Sequence, residues 1–187
     1  MRIIVGISGA TGAVFGIRIL EALRKYNVET HLIISRWARY TIPLETNYTV
    51  KEVEDIASVV YNPSDQAAAI SSGSFQVDGM IIAPCSMKTL ASIRMGMSET
   101  LLGRAADVSL KERRKLIILP RETPLSTIHL ENMLTLSKMG ATIIPPMPAF
   151  YNNPNTIDDI INHIVARTLD QLGIENTLTK RWQKEQL

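Results

Sequence analysis

The chain has 187 residues, 45% of them apolar, which is enough to enclose a hydrophobic core in a single domain over 1–187 with a C-terminal tail from about residue 175. With 20% charged residues, 5% aromatics and a formal net charge of +2, it has neither the basic excess nor the stacking surface of a nucleic-acid binder, and no membrane surface is expected as a partner. The single cysteine, Cys85, cannot form an internal disulfide, the start Met-Arg-Ile-Ile-Val-Gly has no signal-peptide pattern, and no apolar run approaches the roughly 18 to 20 residues of a bilayer span, so the expected compartment is the cytoplasm.

The first apolar run, Ile3–Ile7, leads through a small-residue turn into a helix over 13–25, whose polar positions Arg18, Glu21, Arg24 and Lys25 form a narrow outer stripe. Further runs follow at His31–Ser35, weakly around Ser58–Tyr61, then at Met80–Pro84, Leu116–Leu119 and Ala141–Ile144. Before the fifth of these six runs, Arg104, Asp107 and Lys111 share one helix face. After it, Thr123–Pro124 predicts the N-cap and first residue of a helix reaching about Met139 and stopped by Gly140. A last helix spans 157–172, with Ile157, Ile160, Ile161, Ile164, Val165 and Leu172 on one face, Thr156 as N-cap, Asp158 and Asp159 in the first turn and Gly173 as the stop. Around Thr177–Leu187 the chain is polar, and Trp182 is expected to anchor that tail against a neighbour. Strands of unbroken apolar residues alternating with helices predict an α/β fold: a three-layer, doubly wound, Rossmann-like domain with a mostly parallel sheet of about six strands.

In such a sheet ligands bind beyond the carboxyl ends of the strands. The turn Gly6-Ile7-Ser8-Gly9-Ala10-Thr11-Gly12-Ala13 either lets a ligand approach the backbone at a helix N-terminus or simply meets the steric needs of a tight turn. Ser35 is either a rim hydroxyl or the N-cap of the next helix. Pro84-Cys85-Ser86-Met87-Lys88-Thr89 places two hydroxyls and a cation in an opening helical turn, which suits a phosphate or the polar edge of a flavin; the alternative is capping by Ser86 with Lys88 solvated. Cys85 reads as a small buried residue, since nothing near it in sequence lowers its pKa. Arg121 and Glu122 either face the crevice or pair with each other, and Asp107 is available to neutralise Arg104. Pro145-Pro146-Met147-Pro148-Ala149-Phe150-Tyr151-Asn152 presents two aromatics on a stiff loop, as a pocket wall or as packing against the next helix. Arg167, if buried, needs an acid or an anion; otherwise it snorkels. His31, His129 and His163 lie far apart, so no metal site is expected, and the absence of a G-x-S-x-G elbow argues against a serine hydrolase.

Taken in order, V-G-I-S-G-A-T-G-A, H-L-I-I-S, P-L-E-T, A-A-A-I-S-S-G-S-F, A-P-C-S-M-K-T-L-A, R-A-A-D-V-S-L-K-E-R-R, P-R-E-T-P-L, I-H-L-E-N-M and P-P-M-P-A-F-Y-N resemble the flavin prenyltransferase family of UbiX type, which includes proteins named as components of phenolic or hydroxyarylic acid decarboxylases. The resemblance implies a metal-independent transferase, a homododecamer with FMN at a subunit junction. It joins a dimethylallyl group from dimethylallyl phosphate to N5 and C6 of reduced FMN, giving prenylated FMN for a UbiD-type decarboxylase. It further implies FMN contacts at Gly9, Ala10, Thr11, Ser35, Ser86, Met87, Lys88, Thr89 and Arg121. The prenyl phosphate is matched by Lys111, Arg121, Tyr151 and Arg167, with Arg104 nearby, and catalysis by Glu45, Glu122 and Thr11, the last standing where many relatives have Ser. Two alternatives are an FMN-dependent cysteine-type decarboxylase and a noncatalytic FMN-binding decarboxylase component. The first is disfavoured by P-C-S-M-K-T in place of a P-A-S-A-N-T type segment.

Overall fold

The computed structural model describes residues 1–182, so the end of the expected tail, 183–187, lies outside the described residues. In chain order the elements are β1 (Arg2–Ile7), α1 (Ala13–Lys25), β2 (Glu29–Ile34), α2 (Ala38–Glu45), α3 (Val50–Glu54), β3 (Val59–Tyr61), a single 3-10 turn (Ala69–Ser71), β4 (Gly79–Cys85), α4 (Met87–Arg94), α5 (Leu101–Lys111), β5 (Lys115–Pro120), α6 (Thr127–Lys138), β6 (Thr142–Ile143) and α7 (Ile157–Leu172). The strands form one six-stranded sheet in the order β3-β2-β1-β4-β5-β6, and every pairing is parallel, where the sequence suggested a mostly parallel sheet.

Successive residues of the central strands enter opposite cores. Ile3, Val5 and Ile7 of β1 pack with Ile17 and Leu20 of α1 and Ile164 of α7, whereas Ile4 joins Leu90 of α4 and Leu102 of α5 on the other face. The same sorting divides Ile81 from Ile82 in β4 and Ile117 from Ile118 in β5. Each fully buried aliphatic side chain contributes about 1.5–3 kcal/mol. With both faces covered, no position in these strands gains from being polar, which is why they read as unbroken apolar runs. The edge strand β3 was faint in the sequence because Val59 and Val60 are exposed and only Tyr61 is half-buried.

Helix ends follow local chemistry. At α7 a capping box joins Thr156 to Asp159, and Gly173 takes φ 76 to close the helix. The expected start of the sixth helix at Thr123–Pro124 is corrected: α6 begins at Thr127, after Ser126. The reason is a second capping box, in which Ser126 Oγ accepts from His129 N (3.3 Å) and His129 Nδ1 accepts from Ser126 N (3.2 Å). Residues 121–126 are thereby left as a turn at the rim of the sheet. No helix of the described residues is long and apolar enough to cross a membrane.

Gly16 of α1 faces the backbone oxygen of Ala83 on β4, and a Cβ there would overlap it. Alanine at an open helical site gains about 1 kcal/mol in propensity, but here it must push α1 off the sheet. Gly16→Ala is expected to lower the unfolding free energy by roughly 1 to 3 kcal/mol, as overpacking does, seen as an earlier urea midpoint at unchanged slope. A later midpoint would show that α1 can lift from β4 freely.

Candidate active site

The carboxyl ends of β1, β2, β4 and β5 are stitched into one rim. Ser8, which is buried, donates from its hydroxyl to Pro84 O (3.0 Å) and accepts there from Ser86 N (2.7 Å). Arg121 N donates to Cys85 O (3.0 Å) and Ser35 N to Ile7 O (2.9 Å). Cys85 beneath this rim is fully buried, and burial pushes its thiol well above the ordinary cysteine range, so it is a packing residue.

The turn after β1 is held from outside. Gly12, at φ 97, begins α1 with no side chain to cap it, and the Glu45 carboxylate at the end of α2 takes that role, accepting from Gly12 N (2.7 Å) and Ala13 N (3.3 Å). A carboxylate at a helix N-terminus also complements the macrodipole. Gly9 packs under Trp37, where any Cβ would overlap that of the indole residue. Trp37 itself is 66% exposed and stands beside Tyr40. Ser35 Oγ accepts from the N–H of Ala38 (3.2 Å), the first residue of α2, although the N-cap position of that helix belongs to Trp37 and not to Ser35.

After β4, Ser86 caps α4: its hydroxyl accepts from Thr89 N (3.2 Å) and donates to Thr89 Oγ1 (3.0 Å). Lys88 is exposed and has no ion pair among the described residues. After β5, Arg121 and Glu122 do not pair with each other; Glu122 Oε1 accepts from Thr123 N (3.0 Å). Both border a recess of about 390 Å³ whose other wall is apolar, formed by Leu125, Met133, Pro145 and Met147.

The remaining expected residues lie elsewhere on the chain. Helix α5 starts at the rim, where Leu101 N donates to Pro63 O just after β3, and ends at the opposite edge, where Lys111 precedes the start of β5. Arg104 is about two turns short of Lys111 on this helix, held by Asp107 Oδ2 (2.8 Å) and by Ser71 O (3.1 Å). Lys111 pairs with Glu112. Asp107 thus neutralises Arg104, as the sequence allowed.

Tyr151 folds away from the recess onto α7. Its hydroxyl meets His163 Nε2 (3.4 Å), and its ring stands edge-on to those of His163 and Trp182. Trp182 therefore anchors the residues after α7, as expected of it. Arg167, on the next turn of α7 from His163, is 52% exposed and pairs with Asp170 (2.8 Å), so it is not the buried cation considered from sequence. One chain therefore gathers the rim residues at one place, spaces Arg104 and Lys111 about two turns apart along α5, and keeps Tyr151 and Arg167 at α7. The sequence reading missed Ser8 as the bridge between β1 and β4 and Trp37 as the cover of Gly9. The signals were a hydroxyl at the first position beyond a buried strand and a large aromatic two residues past Ser35.

The chain matches the flavoprotein family model over residues 1–169. It is 62% identical over 184 residues to a probable UbiX-like flavin prenyltransferase of Escherichia coli O157:H7, covering 98% of this chain and 93% of that protein. To flavin prenyltransferase LpdB of Lactiplantibacillus plantarum it is 51% identical, covering 97% and 98% respectively. The chain belongs to the UbiX-like flavin prenyltransferase family. Solved structures agree: a dodecameric FMN-dependent UbiX-like decarboxylase from E. coli O157:H7 superposes with a TM-score of 0.96 at 62% identity, over 98% of this chain and 100% of that one. AnUbiX (PadA1), in complex with FMN and dimethylallyl pyrophosphate, gives a TM-score of 0.96 at 52% identity over 97% of both chains. An FMN-dependent cysteine decarboxylase, TvaF, shares the fold at a TM-score of 0.68 but only 14% identity, a likeness of fold alone. Flavin prenyl transfer, an enzymatic activity, is thus the function of this chain, and the cysteine-decarboxylase and noncatalytic readings are set aside.

The cross-element cap by Glu45 has a measurable worth in this flavin prenyltransferase. Glu45→Ala should cost about 1 to 2 kcal/mol of stability, the usual loss for a helix N-cap, and Glu45→Gln less, since it keeps an acceptor. Urea unfolding of the two variants decides; equal losses would assign the effect to charge and remove the hydrogen bonds from the account.

Proposed function

We propose that the chain transfers a dimethylallyl group from dimethylallyl phosphate to N5 and C6 of reduced FMN, releasing prenylated FMN to a UbiD-type decarboxylase. The observation that carries this reading is the rim recess, which sets one cation and one carboxylate, Arg121 and Glu122, against an apolar wall. Such a pocket accepts an allyl chain, excludes water from a reacting carbocation and holds a charged leaving group at one end. The site also fits FMN. The opening turn of α4 brings the Ser86 and Thr89 hydroxyls, which bond each other (3.0 Å), to the rim beside the exposed Lys88, and Gly9, Ala10 and Thr11 give the neighbouring turn small residues that suit the approach of a planar ligand.

Reduced FMN, entering as a substrate, supplies an electron-rich N5 with C6 close by. The chain's own residues then divide the work. Arg121 grips the phosphate as it departs, and Lys111, Arg167 and Tyr151 complete its binding, with Arg104 near that site. Glu122 moves protons during closure of the new ring. Ser35, Met87 and Thr89 orient the flavin, and Thr11 supplies a hydroxyl next to the turn that Glu45 fastens.

Because one chain keeps its phosphate-binding residues in separate places, we place the complete site where copies meet, in a homododecamer. Support comes from the dodecameric E. coli O157:H7 relative, whose chain this one overlays almost completely. The AnUbiX complex contains the diphosphate donor, so mass analysis of the flavin after turnover with each donor separates the two.

Glu122→Gln should bind FMN normally but stall ring closure, leaving a flavin prenylated at one position; unchanged product by mass and absorbance would remove its proton-relay role. Mixing provides a second test. Lys111→Met and Arg121→Met should each be nearly inactive, yet co-expressed in mixed oligomers they should regain about a quarter of the normal rate, because half the chains keep Arg121 and half the neighbours keep Lys111. No recovery in mixed oligomers would show that Lys111 and Arg121 of one chain serve the same site and remove the arrangement between copies.

A further inference from the structure

The segment beyond α7 turns back along that helix and is fastened at three points, two on α7 and one on the loop before it. Thr179 Oγ1 meets His163 Nδ1 (3.1 Å), Trp182 stands against the Tyr151 ring, and Arg181 grips Asp170 with both guanidinium arms, Nη1 to Oδ2 (2.5 Å) and Nη2 to Oδ1 (2.8 Å). Asp170 is also the carboxylate that holds Arg167, and its side chain is only 20% exposed. One negative charge is therefore shared by two arginines, and the better geometry belongs to Arg181.

We propose that Arg181 is a positioning residue for the prenyl-phosphate site: by holding Asp170 in bidentate fashion it weakens that carboxylate's hold on Arg167, which shares the same oxygen at 2.8 Å, so that the phosphate can draw Arg167 away. The proposal rests on the reading above in which Arg167 and Tyr151 bind that group. With Arg181 present, the trio of Arg167, Asp170 and Arg181 carries a net charge of +1, from two cations and one anion. Without it, Asp170 has Arg167 as its one arginine partner, and the pair is neutral. The contacts of Thr179 with His163 and of Trp182 with Tyr151 fix the same segment, so Arg181 reaches Asp170 from a backbone already tied on either side. Residues 174–182 thus belong to the active site of the assembled enzyme although they follow the part of the chain that matches the family model, which ends at 169.

Steady-state kinetics of the whole oligomer test this. Arg181→Met should raise KM for dimethylallyl phosphate about tenfold, the order expected when one partly screened charge is lost from an anion site, while kcat and FMN affinity change little. Arg181→Lys should restore part of the loss. The decisive variant is the double replacement Arg181→Met with Asp170→Asn, which removes the neutralising charge and should return KM to within a few fold of normal. A merely structural role for Arg181 would leave the double variant no better than the single one, and that result overturns the proposal, as does an unchanged KM in Arg181→Met. Arg167→Met is the control on the underlying reading: if it leaves KM unaltered, the phosphate assignment itself fails, whatever Arg181 does.

Discussion

A single buried hydroxyl fixes the geometry on which the rest of the site depends. Ser8 stands where the strand order reverses, between β1 and β4, and its oxygen has one hydrogen to give and lone pairs to receive. It gives to Pro84 O and receives from Ser86 N, so the end of one strand and the first turn of the helix after its neighbour are set at a fixed distance. Ser8 N also donates to Pro84 O (3.2 Å), so backbone and side chain of one residue hold the same strand end. Around this joint the small residues of the β1 turn, the α4 N-terminus and the Arg121 turn have little choice of position. The order reversal opens the crevice, and Ser8 defines its floor.

Much of this architecture was visible in the residues. Runs buried on both faces announce a parallel sheet without any need for alternation; α1 was legible from its polar stripe, and α7 to its ends because apolar face, capping residue and stopping glycine agreed. The misplaced start of α6 shows where such agreement failed. Thr123–Pro124 and Ser126 with His129 both offer an N-terminus, and only the second supplies reciprocal hydrogen bonds to the backbone. A histidine in place of the usual Glu or Gln partner concealed that box.

The site was legible in part for the same topological reason. Any residue just past a strand's carboxyl end must reach the rim, which identifies Ser35, Ser86 and Arg121 without a structure. Helical periodicity, by contrast, tells which face a residue shares but not which end of the sheet it reaches. Lys111 lies just before β5, a placement that puts it at the far edge and is readable from order alone. Tyr151 was not readable in this way, because its loop begins at the rim and its side chain turns back onto α7.

The cations themselves divide into two kinds. Arg104 and Lys111 hold local carboxylates in pairs that are about a third to a half exposed, with side chains at 35%/35% and 47%/37%. Pairs so open to solvent contribute roughly 0 to 1 kcal/mol, so on the proposed assignment an incoming phosphate, with more charge and more acceptors than one carboxylate, would displace the partner at little cost. Such pairs hold a long side chain near its working position without committing it. The pair of Arg167 with Asp170 is of the other kind, since its carboxylate is more enclosed and attracts the cation more strongly. An exposed pair can be exchanged for a ligand directly, but an enclosed one needs a second cation to satisfy the acid first. In this chain Arg181 is the residue in position to do so, and on the proposed assignment the greater enclosure of the Asp170 carboxylate is why the phosphate site would need help at α7 and none at α5.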